Sequence, residues 1–186
     1  MAQIPELDRQ ILLRTARKAL QDYLERGEYP EIPTGSGAIL KPRAVFVTLR
    51  HRDTGALRGC IGQVTARTPL VESVIRMAVA AGTEDPRFPP VQGDELTDLR
   101  LEINALTPME LIDPTAVDVG RHGLMIRLHG ASGLLLPQVP VEQGWDREAF
   151  LAGVCRKAGL PEDAWQDQEA ELLAFESEVW EEEEEA

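Results

Sequence analysis

Two alternating runs, residues 44–51 and 56–64, flank Asp53-Thr54-Gly55, and alternation on either side of a short turn commits a chain to a β-hairpin. A three-residue loop would pair Arg52 with Ala56. One face then carries Val45, Val47, Leu49, His51, Leu57, Gly59 and Ile61, the other Phe46, Thr48, Arg50, Arg52, Arg58, Cys60 and Gly62. A two-residue loop would mix Val47 and Leu49 with Arg58 and Cys60. A one-residue slip inverts a strand, so the apolar pattern selects the first register. A bulge at Gly59 would undo it, and glycine within a strand often marks one.

This register sets Cys60 opposite Thr48, with Arg50 and Arg58 one step along the same face. Guanidinium groups beside a thiol favour the thiolate, the nucleophilic and metal-binding form. Gly59 and Gly62 leave room for a ligand or another backbone. His51 turns away, so a local His51–Cys60 dyad is not expected. The competing reading makes Cys60 a small buried hydrophobe.

The rest of the chain is helices and further strands. Leu7, Ile11, Leu12, Ala16, Ala19, Leu20, Tyr23 and Leu24 recur at helical spacing after Pro5, which predicts a helix over 5–26 closed by Gly27. Residues 28–37 read as loop. Thr68 is expected to cap a helix running from Pro69 to about Ala81, with Gly82 beyond it. Glu84 to Pro90 is too proline-rich for a regular element. Residues 99–106 alternate as a half-buried strand. A second hairpin is expected between 123–128 and 134–139 across His129–Gly133. Asp146 caps a helix over 147–158 that ends at Gly159, and 171–180 reads as a last strand with Leu173, Phe175, Ser177 and Val179 on one face. Two hairpins with packed helices predict an α+β fold of mostly antiparallel sheet. The boundaries expected are one domain over 1–180 and a disordered acidic tail over 181–186.

Charge narrows the function classes. The chain carries a formal −13, or −8 without Glu181–Glu185. Nucleic acid is therefore not an expected partner, because phosphate neutralisation needs clustered Lys and Arg. Locally the sign reverses: Lys41, Arg43, Arg50, Arg52, Arg58 and Arg67 occur with one acid, Asp53. No apolar run approaches the ~20 residues of a membrane span, and no signal-peptide pattern opens the chain, so the cytoplasm is the expected location. Cys60 and Cys155 form no Cys-x-x-Cys pair, so no metal or cofactor is expected, and a disulfide between them does not suit a reducing compartment.

Several other residues carry two readings each. Asp85, Arg87 and Phe88 lie in the proline-braced loop: Arg87 could hold an anionic group bidentately, or Asp85 and Arg87 could pin the loop. Glu102, on the polar face of its strand, is a general-base candidate or the partner of an arginine such as Arg58. Gln138 is a donor to a ligand amide or carbonyl, or to loop backbone. Trp145 and Cys155 read as packing residues, and His122 and His129 as weak, exposed bases. Gly35-Ser36-Gly37 lacks the strand and the Gly-Lys-Ser/Thr ending of a phosphate loop.

Leu57-Arg58-Gly59-Cys60-Ile61-Gly62 resembles the signature of the AMMECR-type domain family, protein A of the AmmeMemoRadiSam group. In the same order follow Asp85-Pro86-Arg87-Phe88, Leu101-Glu102-Ile103, Gly133 to Val139, Gly144-Trp145-Asp146 leading to Phe150-Leu151, and Lys157-Ala158-Gly159-Leu160. The resemblance covers roughly residues 8–180. It implies an α+β fold of two unequal lobes with the signature near the cleft between them, and association with Memo-type and radical-SAM proteins. It also implies a role in modifying RNA or protein, with no particular reaction.

Three functions stand at this point. The first is an enzyme component with Cys60 and Glu102 as the reacting groups and Arg50, Arg58, Gly59, Gly62, Asp85, Arg87 and Gln138 around a small anionic ligand. The second is a non-catalytic scaffold for a Memo-type or radical-SAM partner. The third, disfavoured by charge, is an RNA-modification factor.

Overall fold

A computed structural model describes residues 3–33 and 37–183. Its helices are α1 (Glu6–Arg26), α2 (Leu70–Thr83), α3 (Gln138–Glu142) and α4 (Arg147–Lys157). Its strands are β1 (Val45–His51), β2 (Leu57–Gln63), β3 (Leu99–Leu106), β4 (Glu110–Leu111), β5 (Gly123–Leu128), β6 (Ala131–Leu135), β7 (Glu171–Phe175) and β8 (Ser177–Glu181). They build two four-stranded sheets, ordered β2-β1-β3-β8 and β4-β7-β5-β6, and the fold is α+β. Contacts cluster into two compact units, one running through Leu106 and resuming at Glu178, the other Thr107–Ser177.

In the first unit α1 and α2 lie on one face of the sheet. Leu12, Ala16 and Leu20 of α1 and Val74 and Ala78 of α2 close over Val47, Leu49, Leu101 and Ile103. Each of these side chains is fully buried, a burial that stabilises by about 1.5–3 kcal/mol for each larger one. The apolar alternation thus turns inward, and the polar half of β1, β2 and β3 is left on the helix-free face. The second unit has its own core, where Leu124 and Ile126 of β5 meet Phe150, Leu151, Val154 and Cys155 of α4.

Helix ends follow the sequence closely but not fully. Gly27 terminates α1 with φ 71°, and Asp146 caps α4 by accepting from Ala149 N at 2.9 Å. Thr68 does not cap α2. Pro69 occupies that position, and the Thr68 hydroxyl bonds Ser73 Oγ instead. Gly82 lies inside α2, where a Cβ would meet Leu20 Cδ1 at 2.6 Å, so it serves helix packing rather than termination.

Three expectations about strands are corrected. The second hairpin turns at His129-Gly130, with φ 49° and 84°, and pairs Leu128 with Ala131. Two successive positive φ values make the tight two-residue turn that matches strand twist, so β6 starts and ends earlier than the apolar run Leu134–Val139 suggests. The single strand over 171–180 is two strands that serve different sheets. The break falls at Glu176, whose N–H donates to Thr107 Oγ1 at 2.8 Å and whose carbonyl accepts from Thr107 N at 2.9 Å. The acidic run is not wholly a solvated tail, because Glu181 ends β8 and Glu182 accepts from Arg17, from Arg52 Nη2 at 3.3 Å and from Leu101 N at 3.1 Å. The expectation for Glu184–Ala186 lies outside the described residues, as does that for Gly35-Ser36.

Glu182 ties α1, the end of β1 and β3 together with its side chain 14% exposed. Glu182→Ala strips the partner from two guanidinium groups at once. It should lower stability by about 2 kcal/mol, read as a fall of roughly 5 °C in the melting temperature of this unit by calorimetry.

Candidate functional site

The helix-free face of the first sheet is built from strand pairing. Thr48 on β1 stands opposite Cys60 on β2 and opposite Glu102 on β3, so three strands set Cys60, Thr48 and Glu102 in one row. The neighbouring row is Gly62, Phe46 and Asn104. Thr48 is buried, and its hydroxyl donates to Cys60 Sγ at 3.3 Å. Cys60 is half-buried and not in a disulfide.

Pairing follows the expected register from Val45↔Gln63 to Leu49↔Gly59 and then shifts, Arg50 pairing with Leu57. Arg58 is therefore the extra residue of a bulge. Its guanidinium donates to Glu95 through Nε at 3.0 Å and Nη2 at 3.1 Å, and to Pro89 O through Nη1 at 3.0 Å. The Arg58 hydrogen bond is the main cause holding the Glu95 carboxyl below its usual pKa. Arg58, expected beside Cys60 to hold an anion, instead gives three of its five N–H donors to a carboxylate and a carbonyl.

Three other arginines of the basic island also face carboxylates. Arg43 meets Glu178 at 2.8 Å, Arg50 meets Glu102 at 3.7 Å and Arg52 meets Glu182 at 3.3 Å. Glu102 thus has an arginine partner, but it is Arg50 rather than Arg58. The glycines also have packing roles. A Cβ on Gly59 would lie 2.1 Å from the Ala81 carbonyl of α2, and one on Gly62 would lie 2.2 Å from the Phe46 ring. Of the two expectations, another backbone rather than a ligand makes the close approach at Gly59, and at Gly62 the neighbour is a side chain.

Asp85 is the centre of the arrangement. Its side chain is 3% exposed, and one oxygen accepts from Cys60 N at 2.8 Å and Arg87 Nη2 at 2.7 Å. The other accepts from Arg87 N at 3.1 Å and Nε at 2.9 Å. Bonding from Arg87, against the opposing cost of burial and with help from the Cys60 N–H, holds this carboxyl well below the usual carboxylate range. Hydrogen bonding to Asp85 favours the charged Arg87 guanidinium. Arg87 remains half-exposed, and Phe88 lies under both its guanidinium, at 5.5 Å, and that of Arg58, at 6.0 Å. The loop therefore carries the pinning reading: Asp85 holds the Arg87 backbone and guanidinium in place.

Gln138 opens α3 in the second unit with its side chain exposed. Cys155 is buried in that unit's core, and burial pushes its thiol pKa up. Trp145 packs over Gly153, His122 Nδ1 accepts from Asp118 N at 3.0 Å, and His129 bonds Glu169. Among the described residues no cluster of three His, Cys, Asp or Glu could hold a metal, and no helix is long and apolar enough to cross a membrane. Glu95 and Asn104 were not among the sequence candidates. Gln92-x-x-Glu95 is a legible capping box, confirmed by Gln92 N donating to Glu95 Oε2 at 2.7 Å, but nothing local links it to Arg58.

Fold and site together define an α+β protein with a cysteine on an edge strand whose backbone N–H is tied to a neighbouring loop by an aspartate. The family model AMMECR1 matches residues 13–180, and the chain belongs to that family. It is similar to a Thermococcus onnurineus protein, 46% identical with 94% of this chain and 90% of the relative covered. It is also similar to protein MK0488 of Methanopyrus kandleri, 44% identical with 94% and 88% covered. The crystal structure of the uncharacterised Pyrococcus horikoshii protein PH0010 superposes with a TM-score of 0.81 at 45% identity, covering 93% of this chain and 90% of that one.

Proposed function

We infer that this protein is the thiol-bearing component of a cytoplasmic modification pathway of the AmmeMemoRadiSam kind, working with Memo-type and radical-SAM proteins. Cys60 is its reacting group. The sulfur adds to an electrophilic carbon, and the thiol proton leaves with the displaced group. The observation that carries this reading is the shared Asp85 carboxylate, which fixes the Cys60 backbone and orients the half-exposed Arg87 beside it. A merely packed cysteine needs neither. Arg87 is the group that would meet an anionic part of the substrate, since it is more exposed than Arg50 or Arg58 and Asp85 takes only its Nε and one Nη2 hydrogen among the side-chain donors.

The test is replacement of the native gene by Cys60→Ser. Serine keeps a hydroxyl for Thr48 to bond, so the fold should survive with a melting temperature within ~2 °C, while pathway output falls at least 100-fold. Full output from Cys60→Ser would sink the thiol reading. It would favour a scaffold for the same partners, a reading supported by the absence of a nearby histidine base: His51 lies at a position of β1 facing the opposite way from Thr48. An RNA-binding role has less support, because four of the six basic-island residues are paired with carboxylates.

A further inference from the structure

We propose that Asn104 is the specificity residue of this site and that the substrate presents a neutral amide, as a peptide or carboxamide, to it. This rests on the reading of Cys60 as the reacting group. Asn104 is 5% exposed, and its Oδ1 has no hydrogen-bond partner among the described residues. A buried acceptor left unmade is costly, and native structures rarely carry one without a use. The side chain stands on the helix-free face: Ile103 and Ala105, its neighbours along β3, are in the helix-covered core.

Strand pairing places Asn104 two residues along from Glu102, in the row beside Cys60 and Thr48. Two strand spacings across and two residues along separate the Cys60 and Asn104 Cα atoms by ~12 Å. An extended substrate with about two peptide units spans that gap. Phe46, in register between Gly62 and Asn104, lays an aromatic surface under its path.

The chemistry of the face selects an amide over a phosphate. Among the described residues of this face Arg50 is paired with Glu102, Arg58 with Glu95 and Arg100 with Glu181. What it offers is an orphan acceptor, Asn104 Oδ1, and an orphan donor, Arg100 Nε, on the same face of β3. An amide N–H is the complement of the first of these.

The probes are chloroacetyl-glycinamide and chloroacetyl-glycine methyl ester, which differ in the terminal N–H donors. With either, a C–S bond forms at Cys60, the C–Cl bond breaks, chloride leaves with the electron pair and the thiol proton passes to buffer. The amide-to-ester rate ratio at Cys60, divided by that of glutathione, is expected at about 10 in the unsubstituted protein, the effect of one hydrogen bond to a buried acceptor. It should fall to about 1 in Asn104→Leu. Asn104→Ser, shorter but still polar, should do the same and serves if the leucine variant does not fold. An equal ratio in all three proteins overturns the role of Asn104 and leaves the thiol reading standing. No alkylation of Cys60 by either probe overturns both.

Discussion

Asp85→Ala should be among the most damaging single changes in the first unit. It removes a carboxylate that accepts four hydrogen bonds, orphans the Cys60 N–H and leaves Arg87 without its partner. Orphaning the Cys60 N–H and releasing the half-exposed Arg87 from its partner should together cost about 3 kcal/mol, or roughly 10 °C in melting temperature. The pH dependence has a definite sign. The folded-state pKa of Asp85 is depressed, so its stabilisation is complete above the unfolded value of about 4 and is lost progressively as pH falls below that. Calorimetry from pH 7 down to pH 2 should show a steeper acid loss in the unsubstituted protein than in Asp85→Asn. Parallel curves would remove Asp85 from its central place.

Gly59→Val is expected to be of comparable size and to act by steric means. The added Cβ would lie 2.1 Å from the carbonyl oxygen of Ala81 and 3.1 Å from its carbon, and backbone within α2 cannot swing aside. Either α2 lifts from β2 or the strand shifts, at a cost of ~3 kcal/mol or more. The comparison with Gly62→Ala is informative. There the obstruction is the Phe46 ring, a side chain that can turn about its own torsions where helix backbone cannot, so the loss should be nearer ~1 kcal/mol. Urea denaturation of the two variants should separate them by at least ~2 kcal/mol. Equal losses would mean that α2 does not pack on Gly59 as described.

Much of the frame was legible because it obeys local rules. Val45, Val47 and Leu49 alternate, and that alternation alone placed Cys60 opposite Thr48. Gly27 and Asp146 announced helix ends through backbone conformation and capping, both of which act within a few residues. What escaped depends on partners distant in sequence. The bulge at Arg58 is held by Glu95, 37 residues away, so no pattern within the hairpin could reveal it. The same holds for Arg43 with Glu178, 135 residues apart, which turned an apparent basic patch into buried structural pairs. The break at Glu176 was hidden for another reason: alternation runs unbroken from Leu173 to Val179, and only Thr107 marks where the chain changes sheets. Asn104 escaped because a polar residue on the outer face of a strand looks ordinary until its surroundings are known to supply no partner for its oxygen.

The account stands on Cys60 being a reachable, reacting thiol in the folded protein, and peptide mapping after brief treatment with iodoacetamide at neutral pH tests this most directly. One equivalent of label is expected, all of it on Cys60, with Cys155 modified only after unfolding because it is buried in the second unit's core. Label appearing on neither cysteine, or on Cys60 only at the rate of global unfolding, would contradict the account and make the Leu57–Gly62 segment a packing motif.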